Sequence, residues 1–187
     1  MIAIRRARPS DATSIGAVHV AAWRSSYAAI LPNDYLARLS VRRQTAYYEA
    51  AIRNGLGVHV ATASGIDLGP AGGTPRVIGY VTGGPALAGP NRLAEGEIET
   101  LYVLDDWRER GLGRRLMRAA AAHLAASGCR SAFLWVLRDN PSRWFYAHLG
   151  GKPAAEATVR VAGAPVVQLA YVWSSIEKLE QAAASSS

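Results

Sequence analysis

The chain has 187 residues, half of them apolar, which is enough for one buried core and too few for two independent domains of ordinary size. Its net charge of +7 is compatible with an anionic partner and does not distinguish a phosphorylated cofactor from a nucleic acid. A single cysteine, Cys129, excludes an intrachain disulfide and a zinc site built from several cysteines.

The amino terminus and the hydropathy pattern indicate a cytoplasmic protein. Residues 1–6 carry charge from the fifth position and lead into no apolar run, unlike a secretory signal. No segment approaches the roughly 18 to 20 apolar residues that cross a bilayer. We therefore expect no membrane association.

Hydrophobic periodicity predicts alternating helices and strands in the amino-terminal half. The predicted elements are a strand at 2–6, a helix at about 12–23, a second helical region at 35–52, and strands at 58–63 and 76–82. The loop between the last two strands is rich in Gly and Pro and too long for a tight hairpin.

The carboxy-terminal half continues this alternation. Its predicted elements are a strand at 97–104, an alanine-rich helix at 111–126, an interior strand at 131–137, a short helix at 140–149 and a strand at 166–173. This order predicts a mixed α/β layer protein, with one domain over residues 1–178. Residues 179–187 are of low complexity and are expected to be disordered.

One loop has the features of an anion site. Residues 105–110 connect a predicted strand to a helix and lead into Gly111 and Gly113. Glycines allow a tight turn and close approach of the backbone to a ligand, and a helix start offers unpaired N–H groups and the positive end of a dipole. A pyrophosphate suits such a site.

Two common phosphate motifs do not match this loop. The dinucleotide fingerprint requires a glycine where Leu116 stands, and the P-loop requires Lys where Gly113 is followed by Arg114. What remains is Arg-x-x-Gly-x-Gly, which by itself is equally compatible with an ordinary loop entering a helix.

The context of the motif resembles the GNAT acetyltransferase family. The motif follows the strand sequence Leu101-Tyr102-Val103 and precedes an amphipathic helix, a buried strand, Asn140 and Tyr146. The resemblance is specific over about residues 95–151. It implies an α+β fold with a mixed, mostly antiparallel, twisted sheet of six to seven strands flanked by about four helices.

The resemblance also implies acetyl-CoA as co-substrate and no metal. Loop amides would bind its pyrophosphate, from Arg108, Glu109, Arg110, Gly111, Leu112, Gly113 and Arg114. The pantetheine arm would pair with Leu101, Tyr102 and Val103 and with Asn140, which as a residue type is equally a helix N-cap. Arg110 and Arg114 share a helix face, where they could meet phosphates or simply face solvent.

Catalytic candidates follow from the chemistry of amine acetylation, in which the amine loses a proton and the thiolate gains one. By resemblance Tyr146 supplies the proton and the N–H of Val103 polarises the thioester carbonyl. Glu97 and Glu99 lie two apart, so we expect them on one face of a strand, where either could accept the proton, directly or through water. Their alternative role is as solvent-facing carboxylates at a strand edge.

Two positions depart from the family pattern. Asp105 replaces a usual proline and adds negative charge near residues 108–114, which we call the phosphate loop. Arg108 or Arg110 could compensate this charge. Gly151 replaces an aromatic residue, so another aromatic must fill the space.

The acceptor is less defined by sequence. By resemblance the first two helices wall its site, which makes Trp23, Tyr27 and the turn at Leu31 candidates for substrate contact or for ordinary core. We expect a primary amine of a small molecule or peptide, and leave open a homodimer. The alternative functions are a non-catalytic acyl-CoA sensor and, ranked last, a nucleic-acid binder, since the basic residues are scattered.

The remaining reactive residue types carry little signal. None of the four histidines, His19, His59, His123 and His148, has a second ligand at metal spacing. Cys129 opens a buried strand with no histidine beside it and is expected to be an inert core thiol.

Overall fold

A single mixed sheet forms the centre of the molecule. The computed structural model describes residues 1–68, 74–90 and 92–185. Seven strands lie in this part of the chain: β1 Ile2–Arg6, β2 Gly57–Ala63, β3 Arg76–Pro85, β4 Gly96–Val103, β5 Ala132–Leu137, β6 Lys152–Val161 and β7 Ala164–Trp173. Their order across the sheet is β1-β2-β3-β4-β5-β7-β6, and every neighbouring pair is antiparallel except β4 and β5.

Helices cover both faces of the sheet. Those in the described residues are α1 Ala12–Ser26, α2 Asn33–Ala37, α3 Val41–Arg53, α4 Leu112–Ala126, α5 Arg143–His148 and α6 Ile176–Ala184. On one side α1 and α3 pack over Val58, Val60 and Tyr80, and on the other α4 and α6 pack over Ile78 and Val81. We call these sides the α1 face and the α4 face.

The predicted mixed, mostly antiparallel sheet is confirmed, with corrections to individual elements. The helical region predicted at 35–52 is two helices, because the Ser40 hydroxyl accepts a hydrogen bond from the Arg43 amide at 3.3 Å and starts α3 anew. Residues 69–73 of the predicted loop between β2 and β3 lie outside the described residues.

The structure contains a strand and a helix in the carboxy-terminal part that were not predicted from the sequence. β6 was missed, since Pro153 and its neighbouring alanines have little strand preference. The disordered tail predicted from residue 179 is wrong up to residue 184, which ends α6. Burial of Ile176, Leu179 and Ala183 in the core beneath α4 orders this helix. Residues 186–187 lie outside the described part.

The parallel pair β4 and β5 opens into a V. Its only paired residues are Gly96 with Ala132 and Glu97 with Phe133, at the start of both strands. Beyond them the pairing of β4 with β3 also shifts: Ile98 opposes Gly83 and Thr100 opposes Thr82, which leaves Glu99 as an extra residue. Such a bulge bends a strand, and here it coincides with the separation of β4 from β5.

Candidate active site

A cavity of about 590 Å³ occupies the V between β4 and β5. Its two side walls are the ends of these strands, Leu101 to Val103 and Trp135 to Leu137. Leu101 and Val103 pack with the core of the α4 face, whereas Tyr102 and Leu137 pack with residues of α1 and α2. The cavity therefore connects the two faces of the sheet.

The α4 mouth of the cavity is formed by the predicted phosphate loop. Gly111 has a φ of +70° and is the residue that caps the start of α4, and Glu109 has a φ of +60°. Consecutive turns of this kind direct successive backbone N–H groups to one side, which creates a concave anion site in front of a helix dipole. All of the predicted loop residues except Arg110 line the cavity: Arg108, Glu109, Gly111, Leu112, Gly113 and Arg114.

The two loop glycines are required for different reasons. A side chain at Gly111 would meet no atom within 4 Å, so its requirement is the left-handed backbone. A Cβ at Gly113 would lie 3.1 Å from the Phe145 ring, which also lines the cavity. Gly113 therefore lets α5 pack closely against the start of α4.

Arg114 and Arg110 differ in their surroundings. Arg114 lines the cavity, and its guanidinium donates a 2.8 Å hydrogen bond to the Ala182 carbonyl of α6. The guanidinium of Arg110 lies 4.9 Å from the centre of the Trp107 ring, and Arg110 is not among the lining residues. The expectation that its side chain meets phosphate has no support from this arrangement.

The backbone of β4 directs N–H groups toward the cavity. The amide of Leu104 donates to the Ile78 carbonyl of β3 at 2.9 Å. Because residues of an antiparallel pair alternate between bonded and non-bonded positions, the N–H groups of Leu101 and Val103 point away from β3, toward the gap. The Val103 carbonyl accepts a 3.4 Å hydrogen bond from Arg108 Nε.

Tyr146 lies on α5, and Asn140 lies in the turn before this helix. Both are nearly fully buried, and both line the cavity. Burial, and secondarily the Tyr27 hydroxyl, raises the pKa of Tyr146 well above its ordinary value, so the phenol keeps its proton at neutral pH. Asn140 Oδ1 accepts a 2.9 Å hydrogen bond from the Ser142 amide, in the turn that leads into α5.

The two candidate bases are not equivalent. Glu99, the bulge residue, lines the cavity, and Glu97 does not. Desolvation raises the pKa of both carboxyls, and the charge of Glu99 adds to the effect at Glu97. Only Glu99 can therefore reach a ligand in the cavity directly.

The α1 mouth is aromatic. Trp23 and Tyr27 both line the cavity, and their rings meet edge to face with centroids 4.9 Å apart. The Tyr27 hydroxyl lies 3.1 Å from that of Tyr102 across the mouth. Tyr27 is also buried in a cluster with Leu31 and Leu36, so the two roles expected for it, wall and core, are compatible.

Comparison with known proteins decides the family. A model of the "Acetyltransferase (GNAT) family" matches residues 21–151. The chain belongs to the GNAT family. It is 29% identical over 180 residues to the uncharacterized N-acetyltransferase YuaI of Bacillus subtilis, covering 96% of this chain and 97% of that protein. It is 30% identical over 160 residues to the probable N-acetyltransferase Rv2775 of Mycobacterium tuberculosis, covering 81% and 82%.

A solved structure agrees with the GNAT fold. The acetyltransferase yncA of Salmonella typhimurium, determined with acetyl-CoA, superposes with a TM-score of 0.65 at 20% identity, covering 92% of each chain. The resemblance inferred from the loop and its context is thus confirmed at the level of family and fold. The protein is accordingly an acyltransferase.

Both departures from the GNAT pattern have compensations within the chain. The Asp105 carboxylate accepts from Ser25 and pairs with the Arg108 guanidinium at 2.8 Å, so Arg108 rather than Arg110 balances the extra charge. A Cβ at Gly151 would lie 2.7 Å from the Trp173 ring, whose Nε1 donates to the Leu149 carbonyl. Trp173 therefore fills the space of the usual aromatic.

Several residues that line this cavity were not predicted from the sequence. Val159, Val161 and Gln168 come from the β6–β7 hairpin, and Trp135 and Phe145 were assigned to no role. The alternation in Thr158 to Val161, followed by a turn at Ala162-Gly163, was the available signal. Both turn residues have positive φ, as a two-residue hairpin requires.

The histidines remain outside the cavity lining. His19 is buried on α1, where it contacts tyrosines, and among the described residues no group of three or more His, Cys, Asp or Glu side chains could hold a metal ion. Cys129 is buried. No helix in the described residues has the length and apolar character needed to cross a membrane.

Proposed function

We propose that the protein transfers the acetyl group of acetyl-CoA to a primary amine of a small molecule or peptide, by direct attack in a ternary complex. The observation that carries the proposal is the cavity through the sheet, with a phosphate-type loop at the α4 mouth and an aromatic wall at the α1 mouth. Donor and acceptor could enter from opposite faces and meet between β4 and β5.

The residues of the cavity fit acetyl-CoA in order along its length. The turn at Glu109 and Gly111, with Arg114 beside it, suits a pyrophosphate. The N–H groups of Leu101 and Val103 suit two carbonyls of the cofactor, one of a pantetheine amide and one of the thioester, and Asn140 lines the same cavity. The fit needs no metal.

In the reaction the acceptor ammonium loses two protons and the departing thiolate gains one. Once its first proton is removed, the amine nitrogen attacks the thioester carbon and an oxyanion forms. The nitrogen then loses its second proton and the C–S bond breaks, which gives an amide and a thiolate. Glu99 accepts the proton of the ammonium, directly or through water. The Val103 N–H stabilises the oxyanion, a type of interaction worth about 3 kcal/mol in other acyl-transfer sites.

Tyr146 donates a proton to the departing thiolate. Its raised pKa keeps the hydroxyl protonated at neutral pH, which an acid requires before it acts. The phenolate left behind takes up the second proton of the nitrogen, and Glu99 releases the first to solvent, so the cycle closes without net change in the enzyme.

The test measures binding and turnover separately on the full chain. Acetyl-CoA affinity is measured by calorimetry, and thiol release together with the mass of the product is followed on a panel of amines. Binding with acetylated product supports the proposal. Tight acetyl-CoA binding with no product on any amine contradicts it and favours a sensor.

A further inference from the structure

The tip of the β6–β7 hairpin borders the α1 mouth of the cavity. β5 pairs with β7 only from Gln168 to Trp173, so the part of the hairpin between Thr158 and Val167 extends past the end of β5. Val161 and Val166 of this tip pack with Leu31 and its neighbours in α2. The hairpin thus meets the α1–α2 segment across the mouth.

The side chains that border this mouth are mostly apolar. Trp23, Tyr27 and Leu31 face it from the α1 side, and Val159 and Val161 face it from the hairpin. We call these five residues the acceptor wall. Gln168, a neutral amide, lies on the hairpin beside them.

Charge is distributed unevenly along the cavity. The charged residues that line it within the described chain are Glu99, Arg108, Glu109 and Arg114. The last three belong to the phosphate loop, and Arg108 is paired with Asp105. Glu99 is the remaining charge, and it lies on β4 at the bulge.

This distribution limits the acceptor. A second ammonium or a carboxylate on the acceptor would be buried against the acceptor wall without an opposite charge, which is costly because a desolvated ion needs a partner. An apolar body, in contrast, gains from leaving water. One carboxylate, Glu99, matches one ammonium.

We propose that the acceptor is a primary monoamine on an uncharged apolar or aromatic body, held by the acceptor wall. This inference rests on the proposed acetyl transfer and names the substrate class of that same site. It excludes polyamines and acidic amino acids as preferred acceptors.

The experiment compares kcat/KM for phenethylamine, spermidine and L-glutamate at saturating acetyl-CoA. We expect phenethylamine to exceed the other two at least about tenfold, in the range that differences in a hydrophobic pocket produce. Preference for spermidine or L-glutamate overturns the acceptor class and leaves acetyl transfer standing. No product from any amine overturns both.

Two adjacent substitutions on β6 localise the effect. Val159 lines the cavity, whereas Thr158 is exposed on the other face of the strand. Val159→Glu should lower kcat/KM for phenethylamine at least about tenfold and narrow its advantage over spermidine. Thr158→Glu adds the same charge and should change neither value.

The acetyl-CoA KM separates this effect from damage to the fold. It should stay within about twofold in both variants, because neither residue belongs to the phosphate loop. An unchanged amine preference in Val159→Glu contradicts the acceptor wall. If the acetyl-CoA KM of that variant rises, Val159→Thr, which removes apolar surface without charge, should still reduce kcat/KM for phenethylamine, and failure to do so overturns the proposal.

Discussion

The imidazole Nδ1 atom of His19 lies 2.8 Å from the hydroxyl oxygen of Tyr80. The Tyr48 hydroxyl lies 3.0 Å from the same nitrogen and 2.7 Å from Tyr80, which closes a buried triangle. These residues join α1, α3 and β3. The imidazole also stacks on Trp23 at 5.1 Å, so the triangle supports one residue of the acceptor wall.

The triangle predicts a pH dependence of stability. Burial lowers the pKa of His19 to about 4, from an ordinary value of 6.5. Between these values the unfolded chain binds more protons than the folded one, so this contribution is present above pH 6.5 and is lost as pH falls toward 4. We expect the free energy of unfolding, measured in urea, to fall by about 2 kcal/mol between pH 7 and pH 5 from His19 alone.

A comparison of variants assigns the effect. His59 also has a pKa lowered to about 4, chiefly by desolvation, and titrates in the same range. His19→Gln should therefore lose less unfolding free energy between pH 7 and pH 5 than the unsubstituted protein does. His59→Gln should still lose the share of unfolding free energy that His19 causes. The same pH slope in His19→Gln as in the unsubstituted protein would show that the imidazole is not the titrating group.

Tyr146→Phe is expected to lower kcat about 100-fold or more with little change in acetyl-CoA affinity. The phenol keeps its proton and lines the cavity, and its removal leaves the packing of the ring in place. Calorimetry measures the affinity, and steady-state kinetics on an accepted amine measures kcat.

Tyr171→Phe is the matched control for Tyr146→Phe. Tyr171 is buried, its ring centroid lies 6.3 Å from that of Tyr146, and it is not among the lining residues. Its substitution should leave kcat unchanged. Full activity of Tyr146→Phe across the pH range contradicts the role of Tyr146.

Glu99→Gln and Glu97→Gln should differ although the two residues are two positions apart. A base must be ionised to accept a proton, so the activity of the unsubstituted protein should fall as the pH is lowered. Because desolvation raises the pKa of Glu99, this fall should begin above the ordinary carboxyl pKa. Glu99→Gln should lower kcat/KM for the amine and remove this limb of the pH profile.

Glu97→Gln should retain that limb, because Glu97 does not line the cavity. The profiles of kcat/KM against pH for both variants, taken with the same amine, provide the measurement. An acid limb that persists in Glu99→Gln would show that a titrating group other than Glu99 causes it and would contradict the role of Glu99 as the base.

The sequence predicted the glycine loop at the α4 mouth of the cavity far better than the residues that line the α1 mouth, for physical reasons. Gly111 and Gly113 mark a local backbone geometry, which neighbouring residues largely determine. Val159 and Trp23 line the same cavity only because of the tertiary fold, in which the hairpin extends past the end of β5. The unequal positions of Glu97 and Glu99 relative to the cavity depend on a bulge, which side-chain alternation along β4 does not reveal.

The phosphate loop itself gives the last prediction, Gly111→Asp. With φ at +70°, any side chain there is strained by about 1 kcal/mol, and an aspartate adds negative charge at the helix start where the pyrophosphate would bind. We expect the Kd for acetyl-CoA to rise at least about tenfold, measured by calorimetry. Gly65→Asp is the control, because Gly65 has a φ of +64°, also has open space beside it and lies outside the cavity lining. It carries the same strain and charge, so normal acetyl-CoA affinity in Gly111→Asp, or an equal loss in Gly65→Asp, would show that the loop does not bind the phosphates.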